Sequence, residues 1–171
     1  MKILMLGDVV GKAGRLAVLA HIPSLMEEHT PDFVIVNGEN AAHGYGVTRK
    51  ICNEFFDIGV DVITTGNHVW KQKEIISWID EEPRVLRPLN FPTGTPGKGH
   101  GLFESRDGHR VLVAHPMGRQ YMDPSENPFL AMDNVLLNHR MGRGRGGSLD
   151  AIVVDLNYPL ALFTKRVSHV S

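Results

Sequence analysis

The sequence has a single cysteine, Cys52, among its 171 residues. One cysteine excludes an internal disulfide framework and a zinc site built from cysteines, and it is typical of a reducing compartment. The chain also lacks any apolar run close to the roughly 18 residues that cross a membrane. Its first apolar stretch, residues 3–6, stops at Gly7, so the N-terminus does not have the pattern of a signal peptide. We therefore expect a cytoplasmic protein with no membrane partner.

Neither sign of charge predominates in the sequence. Lys and Arg number 18, Asp and Glu number 19, and the formal net charge is −1. A nucleic-acid partner held by bulk positive charge is therefore not expected. The hydrophobic fraction of 42% is enough for a buried core and excludes a wholly disordered chain. This length fits one domain over residues 1–171.

The order of the predicted elements in the first eighty residues indicates an α/β fold. Short apolar runs predict buried strands over residues 2–6, 33–36 and 60–64. Helical spacing predicts helices over about 15–28, 48–58 and 71–79, with Ile75, Ile76 and Ile79 inward in the last. Pro23 predicts a kink or a restart in the first helix. Alternating strands and helices predict a mostly parallel sheet covered by helices.

The second half of the sequence differs from the first in composition and in the pattern of its apolar runs. Proline and glycine are frequent over residues 83–101, which predicts an irregular surface segment. Asp107-Gly108 lies between two apolar runs, 102–105 and 110–114, and predicts a hairpin. A further helix over 128–137 and a strand over 151–156 are expected. Residues 141–147 predict a flexible Gly/Arg linker, for which a solvated loop is the preferred interpretation.

Three polar turns that contain glycine follow the first three predicted strands. Asp8 follows the first strand, Glu39 and Asn40 follow the second, and Asn67 and His68 follow the third. In a parallel sheet, ligands bind beyond the carboxyl ends of the strands, so we expect these five side chains at one place. Each turn alone is also typical of a plain structural turn. The prediction of a site therefore depends on all three turns carrying such side chains at the same edge of the sheet.

The first turn does not fit the known nucleotide-binding loops. A P-loop needs Gly-x-x-x-x-Gly-Lys-Ser/Thr, but the segment from Gly7 to Lys12 is one residue short and Ala13 replaces the hydroxyl residue. The dinucleotide fingerprint fails because the glycines are spaced four and three residues apart. The glycines and Arg15 at a helix N-terminus could still hold a phosphate.

Five sequence blocks together resemble the bacterial branch of the calcineurin-like metallophosphoesterases, the YmdB-like phosphodiesterases. They lie within about residues 1–155 and read Gly-Asp-Val-Val-Gly-Lys-Ala-Gly-Arg, Asn-Gly-Glu-Asn-Ala-Ala, Thr-Gly-Asn-His-Val-Trp, Arg-Pro-Leu-Asn-Phe-Pro and Met-Gly-Arg-Gln-Tyr-Met-Asp-Pro. The resemblance implies a layered α/β sandwich of two facing sheets flanked by helices. It also implies a hydrolase whose substrate is a small phosphodiester or a cyclic nucleotide.

The same resemblance implies a dinuclear metal site and assigns its residues. Asp8 would bind one ion, Glu39 would bridge both, and Asn40 and Asn67 would bind the second; the ions would be iron or manganese. His68 would act as a catalytic group beside the substrate phosphate. Oxygen and imidazole ligands suit such ions, and an imidazole is suited to protonating a leaving alkoxide near neutral pH.

The sequence departs from the family pattern near its end. The family supplies three more histidine ligands, one in a Val-Asp-Phe-His-Ala-Glu block and two in a Gly-Thr-His-Thr-His block. Asn157 stands at the first of these positions, and the second block has no match before Ser171. We therefore expect a divergent tail from about residue 157, a fold that is incomplete at its C-terminal end, and a poor catalyst. His115 replaces a family asparagine and is predicted to be a buried or loop histidine; a role for His43 is left open.

Three functions follow from these observations. The leading one is a metal-dependent phosphodiesterase with a dinuclear site. The second is a non-catalytic relative that binds or regulates, which the missing histidines favour. The third is an RNA-associated protein that uses residues 141–147, and it rests on charge alone; its affinity for RNA would fall steeply with salt. The physiological substrate, the metal and the oligomeric state, a homo-oligomer included, are left open.

Overall fold

The computed structural model describes residues 1–119, 122, 125–141 and 149–156. The strands in these ranges are β1 (Ile3–Leu6), β2 (Phe33–Asn37), β3 (Val62–Thr64), β4 (Val85–Leu86), β5 (His100–Glu104), β6 (Arg110–Ala114) and β7 (Ala151–Val154). The helices are α1 (Gly11–His29), α2 (Arg49–Asp57), α3 (Pro128–Met141) and a 3₁₀ helix (Lys73–Ser77). The predicted linker after Met141 and the predicted tail from residue 157 lie outside the described residues.

The first sheet contains four parallel strands in the order β1-β2-β3-β4. Ile3 pairs with Phe33, Ile35 pairs with Val62, and Ile63 pairs with Val85. All five residues of β2 are buried, as expected for a central strand covered on both faces. The predicted parallel sheet is confirmed, and β4 is an additional strand that the sequence analysis assigned to an irregular segment.

The second sheet contains three strands in the order β5-β6-β7. β5 and β6 form the antiparallel hairpin that Asp107-Gly108 predicts, and Gly108 has a φ of 80° in its turn. β7 pairs in parallel with β6 and begins and ends within the range predicted for it. α3 contacts this sheet through His139, whose ring lies 5.9 Å from that of His100.

The two sheets pack face to face through apolar side chains. Phe33 and Ile35 of β2 share a buried cluster with Val111 and Val113 of β6. The opposite face of the first sheet packs on α1 and α2, and the large buried side chains there include Ile22 and Phe55. Helices therefore cover the first sheet, and the first sheet covers the second. This layered α/β sandwich is the architecture that the resemblance implied.

The third predicted helix is wrong. Residues 73–77 form a short 3₁₀ helix, and the flanking residues form turns. Ile75 and Ile79 are buried, as predicted, but Ile76 is half exposed. The amide of Ile79 still donates to the carbonyl of Ile75 at 2.9 Å. Two apolar residues four positions apart can thus share one face in a tight turn, so their spacing alone does not establish a helix.

Pro23 does not interrupt α1, which is one continuous helix of 19 residues. The ring of Pro23 lies on the exposed side, whereas Val18 and Ile22 are buried on the other side. Water can hydrate the carbonyl that loses its amide partner on the exposed side. The predicted restart is therefore wrong.

Among the described residues, no helix combines the length and the apolar character that crossing a membrane requires.

We predict that the Cys52 thiol of the folded protein does not react with Ellman's reagent. Cys52 is 1% exposed on α2, and burial, followed by the nearby Glu82 and Glu74, raises the pKa of its thiol far above the ordinary value. The reactive species is the thiolate, so the buried thiol is inert. The absorbance of the chromophore that the reagent releases should show no reacted thiol before unfolding. In concentrated guanidinium chloride it should show one reacted thiol per chain. Stoichiometric labelling of the native chain would contradict this packing.

Candidate functional site

Three turns meet at the carboxyl edge of the first sheet, because β1, β2 and β3 are parallel neighbours. Backbone hydrogen bonds connect the turns to the adjacent strands. The Val9 amide donates to the Asn37 carbonyl at 3.0 Å, and the Gly38 amide donates to the Thr64 carbonyl at 2.9 Å. These bonds fix the turns relative to one another, so the side chains that they carry lie close together.

Four of the five predicted site residues form a continuous chain of contacts. Asn40 Nδ2 donates to Asp8 Oδ1 at 2.8 Å, and His68 Nδ1 lies 2.6 Å from Asn40 Oδ1. The same His68 nitrogen is 3.6 Å from Glu39 Oε1, and this oxygen also accepts from the His68 backbone amide at 3.4 Å. Asn67 is exposed in the turn of His68, and no described hydrogen bond joins it to the other four.

Burial differs strongly across this cluster. Glu39 is 5% exposed, His68 is partly buried, and Asp8 is exposed. The buried carboxylate of Glu39 forms the floor of the site, and Asp8 lies at its rim. Because Nδ1 of His68 faces Asn40, Nε2 is the ring nitrogen that remains for contact with a substrate. The site can therefore combine acidic ligands with one imidazole nitrogen at an open edge.

A tight loop, residues 41–46, holds Tyr45 against His68. Gly44 and Gly46 have φ values of 90° and 76°, and a Cβ at Gly46 would lie 3.0 Å from the His68 carbonyl oxygen. The two rings of Tyr45 and His68 are 4.9 Å apart at an angle of 71°, and Tyr45 is 57% exposed. The sequence analysis missed Tyr45, because nothing in the local pattern distinguishes it from an ordinary surface tyrosine.

Two further residues near the site have local structural roles. Arg15 Nη1 donates to the Ala41 carbonyl at 2.7 Å, so its guanidinium braces the loop of residues 41–46. His43 is exposed and has a φ of 56° within that loop. In the part of the chain that the structure describes, no hydrogen bond connects His43 with the cluster.

A buried polar layer lies next to the cluster and contains residues from both sheets. The Asp155 carboxylate accepts from Asn37 Nδ2 at 2.9 Å and from the Thr64 hydroxyl. His115 Nδ1 lies 3.2 Å from that carboxylate and 3.0 Å from the Asp155 carbonyl oxygen. All four residues are less than a tenth exposed. The prediction of a buried His115 is confirmed, whereas the other three were not singled out from the sequence.

The Asp155 carboxyl is stabilised in its charged form. Burial raises the pKa of Asp155, but the hydrogen bonds from His115, Thr64 and Asn37 outweigh burial and leave that pKa below its ordinary value. A carboxyl whose pKa is lowered by folding contributes stability above its unfolded pKa, and this is lost as the pH falls through the folded pKa. The Asp155 carboxyl therefore stays ionised at neutral pH, and its contribution to stability is lost only in acid.

The donor types at the sheet edge fit a hard divalent cation. Asp8 and Glu39 offer carboxylate oxygens, and Asn40 offers an amide oxygen. The Asn40 oxygen has two lone pairs, so it can accept from His68 and bind a cation at the same time. Within the described ranges, however, no group of three or more His, Cys, Asp or Glu side chains could hold a metal ion. The described acidic and histidine side chains therefore do not complete a metal site by themselves, and the predicted pair of ions needs amide donors such as Asn40 and further ligands.

A separate depression of about 480 Å³ begins at Trp70, two residues after His68. Its lining consists of Trp70, Ile76, Thr93, Gly94, Thr95 and Pro96. This lining contains no acid, base or metal ligand among the residues that the structure describes. None of the predicted site residues lines this depression.

Both the sequence and the fold are similar to those of known proteins. A family model described as "YmdB-like protein" matches residues 4–159. The 2',3'-cyclic-nucleotide 2'-phosphodiesterase of Bacillus subtilis (strain 168) is 46% identical over 136 residues, which are 80% of this chain and 51% of that protein. The chain spans about half the length of the curated relatives it matches.

Two solved structures have the same fold. A hypothetical protein from Thermus thermophilus has a TM-score of 0.79 and 38% identity, over 91% of this chain and 57% of that one. A novel phosphatase from Mycoplasma pneumoniae has a TM-score of 0.78 and 31% identity, over 91% of this chain and 54% of that one. Both matches extend over most of this chain, so the layered α/β sandwich is shared with experimentally solved proteins.

Proposed function

The chain belongs to the YmdB-like family, and on this basis we propose that it hydrolyses small phosphodiesters, cyclic nucleotides in particular, with divalent metal ions as cofactors. The contact chain from Asp8 through Asn40 and His68 to Glu39 supports the proposal. The substrate class is the one in the name of the Bacillus subtilis relative.

Glu39 and Asp8 would hold the metal from opposite ends of the site. Glu39 has a buried carboxylate on the floor, where low solvent access strengthens its attraction for a cation. Asp8 Oδ1 accepts from Asn40, which leaves Oδ2 for a metal. When bound, two ions would clamp the phosphoryl oxygens and lower the pKa of a coordinated water. Asn40 and Asn67 would add neutral oxygen donors without cancelling the positive charge.

His68 would protonate the leaving oxygen of the substrate. The Asn40 amide oxygen holds His68 Nδ1 at 2.6 Å, which fixes the ring and presents Nε2 for proton transfer. A proton on Nε2 moves to the leaving alkoxide as the bond between phosphorus and that oxygen breaks. The backbone of His68 is also fixed, because its amide donates to Glu39 Oε1. The general acid and the buried carboxylate are thus positioned together.

Tyr45 would contribute a surface for the base of a nucleotide. Its ring is more than half exposed, it touches the candidate general acid, and the glycines on both sides hold its backbone in a fixed loop. Stacking of a base on an aromatic ring contributes about 1–3 kcal/mol in nucleic-acid binding and tolerates any base. This contact favours nucleotides over simple phosphodiesters, and it leaves the identity of the base open.

The proposal predicts metal-dependent hydrolysis that a chelator removes. The purified chain, first stripped of metal, is assayed with 2',3'-cyclic AMP and with a chromogenic phosphodiester, in manganese, in ferrous iron and in excess EDTA. We expect slow hydrolysis with metal and none with EDTA, at a rate well below that of the Bacillus subtilis relative, because the described acidic and histidine side chains do not complete a metal site by themselves. Elemental analysis gives the bound metal per chain.

Each outcome of this experiment selects one function. Metal-dependent turnover supports the phosphodiesterase. Metal binding without turnover supports the alternative, a relative that binds a ligand or regulates without catalysis. Failure to bind any divalent metal would overturn the proposal. Two tightly held ions with turnover equal to that of the relative would show that other residues supply the missing histidine ligands.

A further inference from the structure

The buried polar layer connects the second sheet to the floor of the candidate site. Asn37, at the end of β2, uses both ends of its side-chain amide. Its Nδ2 donates to the Asp155 carboxylate at 2.9 Å, and its Oδ1 accepts from the Glu39 backbone amide at 3.1 Å. One buried side chain therefore joins the residue after β7 to the proposed metal ligand.

The Asp155 carboxylate and, at the longer distance of 3.4 Å, the Thr65 carbonyl both accept from Asn37 Nδ2 and so orient the Asn37 amide. An ionised carboxylate only accepts hydrogen bonds, so the donating nitrogen of Asn37 must face it. The amide oxygen then faces the Glu39 amide, which only donates. A flipped amide would lose both bonds and would leave a buried carboxylate facing an oxygen. The Thr64 hydroxyl and His115 Nδ1 complete the set of groups that hold Asp155 in place.

At the carboxyl ends of β2 and β3, the apolar contacts between the sheets do not provide this directional control, and the hydrogen bonds from Arg106 to Asp61 and Asp32 lie at the other ends of these strands. Phe33 and Ile35 meet Val111 and Val113 through apolar surfaces. Apolar burial is not directional, so it sets the spacing of the sheets more strongly than the relative position of their edges. Hydrogen bonds require specific distances and angles, and in a buried environment they are stronger than in water.

We propose that Asn37 and Asp155 are positioning residues for Glu39, through which the second sheet sets the place of the Glu39 carboxylate at the site. The proposal rests on the proposed function, because it takes Glu39 as a metal ligand. Neighbours that orient metal ligands typically contribute about 10–100-fold to metal affinity. Both residues are buried, at 7% and 8% exposure, and neither is a proposed metal ligand. Their effect acts through the turn that carries Glu39.

The test compares two buried asparagines. Asn37→Ala removes the positioning contacts, whereas Asn90→Ala removes an equally buried amide that bonds Met117 and Glu126 away from the site. Both variants should lower the melting temperature to a similar extent. Only Asn37→Ala should weaken Mn²⁺ binding, by about 10–100-fold in calorimetric titration. Only this variant should also accelerate hydrogen exchange of the Glu39 amide in the metal-free protein.

Asp155→Asn is the second variant, and it keeps the size of the side chain. It should show the same two effects to a smaller extent, and the double variant should lose no more Mn²⁺ affinity than Asn37→Ala alone, because both residues act on one path. Two results would overturn the positioning role. The first is an additive loss of Mn²⁺ affinity in the double variant. The second is that Asn37→Ala and Asn90→Ala have equal Mn²⁺ affinity and equal hydrogen exchange of the Glu39 amide. A wild-type chain that binds no Mn²⁺ would overturn the proposed function instead, and the exchange rates would still decide the positioning role.

Discussion

Glu39→Gln is expected to abolish metal-dependent hydrolysis while the fold remains intact. Glu39 is 5% exposed, and its Oε1 lies 3.6 Å from His68 Nδ1. Glutamine keeps the length and one oxygen but removes the negative charge, so the proposed metal ligand would attract divalent cations far less. The loss should exceed the roughly 10–100-fold that removal of a positioning neighbour produces. Turnover and bound Mn²⁺ should fall together.

A matched control distinguishes this effect from a general loss of negative charge. Glu28→Gln makes the same chemical change on the exposed end of α1, where the side chain is 71% exposed. Both variants should give a native far-ultraviolet circular dichroism spectrum, and only Glu39→Gln should lose hydrolysis and metal. Hydrolysis at the wild-type rate in Glu39→Gln would remove the basis for a dinuclear site.

His68→Ala should reduce kcat by about 10²–10⁴-fold, the usual contribution of a general acid. Metal content should change little, because the described oxygen donors come from Asp8, Glu39 and Asn40. The Asn40 amide oxygen loses its contact with the imidazole but keeps a lone pair for a cation. Steady-state kinetics with 2',3'-cyclic AMP, together with elemental analysis, measure the two quantities separately.

His43→Asn provides the control for His68, since both histidines lie in turns at the same sheet edge. His43 has a φ of 56°, which asparagine tolerates and alanine does not, so this substitution avoids backbone strain. Little change in kcat is expected, because His43 is exposed. If His68→Ala lost metal and turnover in equal proportion, His68 would be a ligand and its role as general acid would be wrong.

Much of the fold could be predicted because β1, β2 and β3 and the two helices that cover them each carry a local signal. The run of residues 33–36 is apolar throughout and becomes β2, and the Thr48 hydroxyl accepts from the Ile51 amide at the start of α2. β4 has two residues and no pattern of its own, so only its pairing with β3 defines it. The extent of the 3₁₀ helix is likewise set by packing, which buries Trp78 and Ile79 at its end.

The candidate site likewise contains residues that a local sequence pattern predicts and residues that only packing brings together. The proximity of Asp8, Asn40 and His68 follows from parallel strand order, which the sequence pattern indicates. Asn37 and Asp155 are 118 residues apart in the sequence, and no local motif relates them. Only the packing of the second sheet on the first brings them together. The roles of the site residues remain predictions until they are measured.

The order of the layers has a consequence for synthesis on the ribosome. Every proposed metal donor lies between Asp8 and Asn67, on turns of the first sheet, whereas Asp155 follows the last described strand. The nascent chain thus contains all of these donors long before the acceptor for Asn37 and Thr64 has been translated. Until then water must take the place of the Asp155 carboxylate as acceptor for Asn37 Nδ2 and the Thr64 hydroxyl, and that water leaves when β7 joins the second sheet.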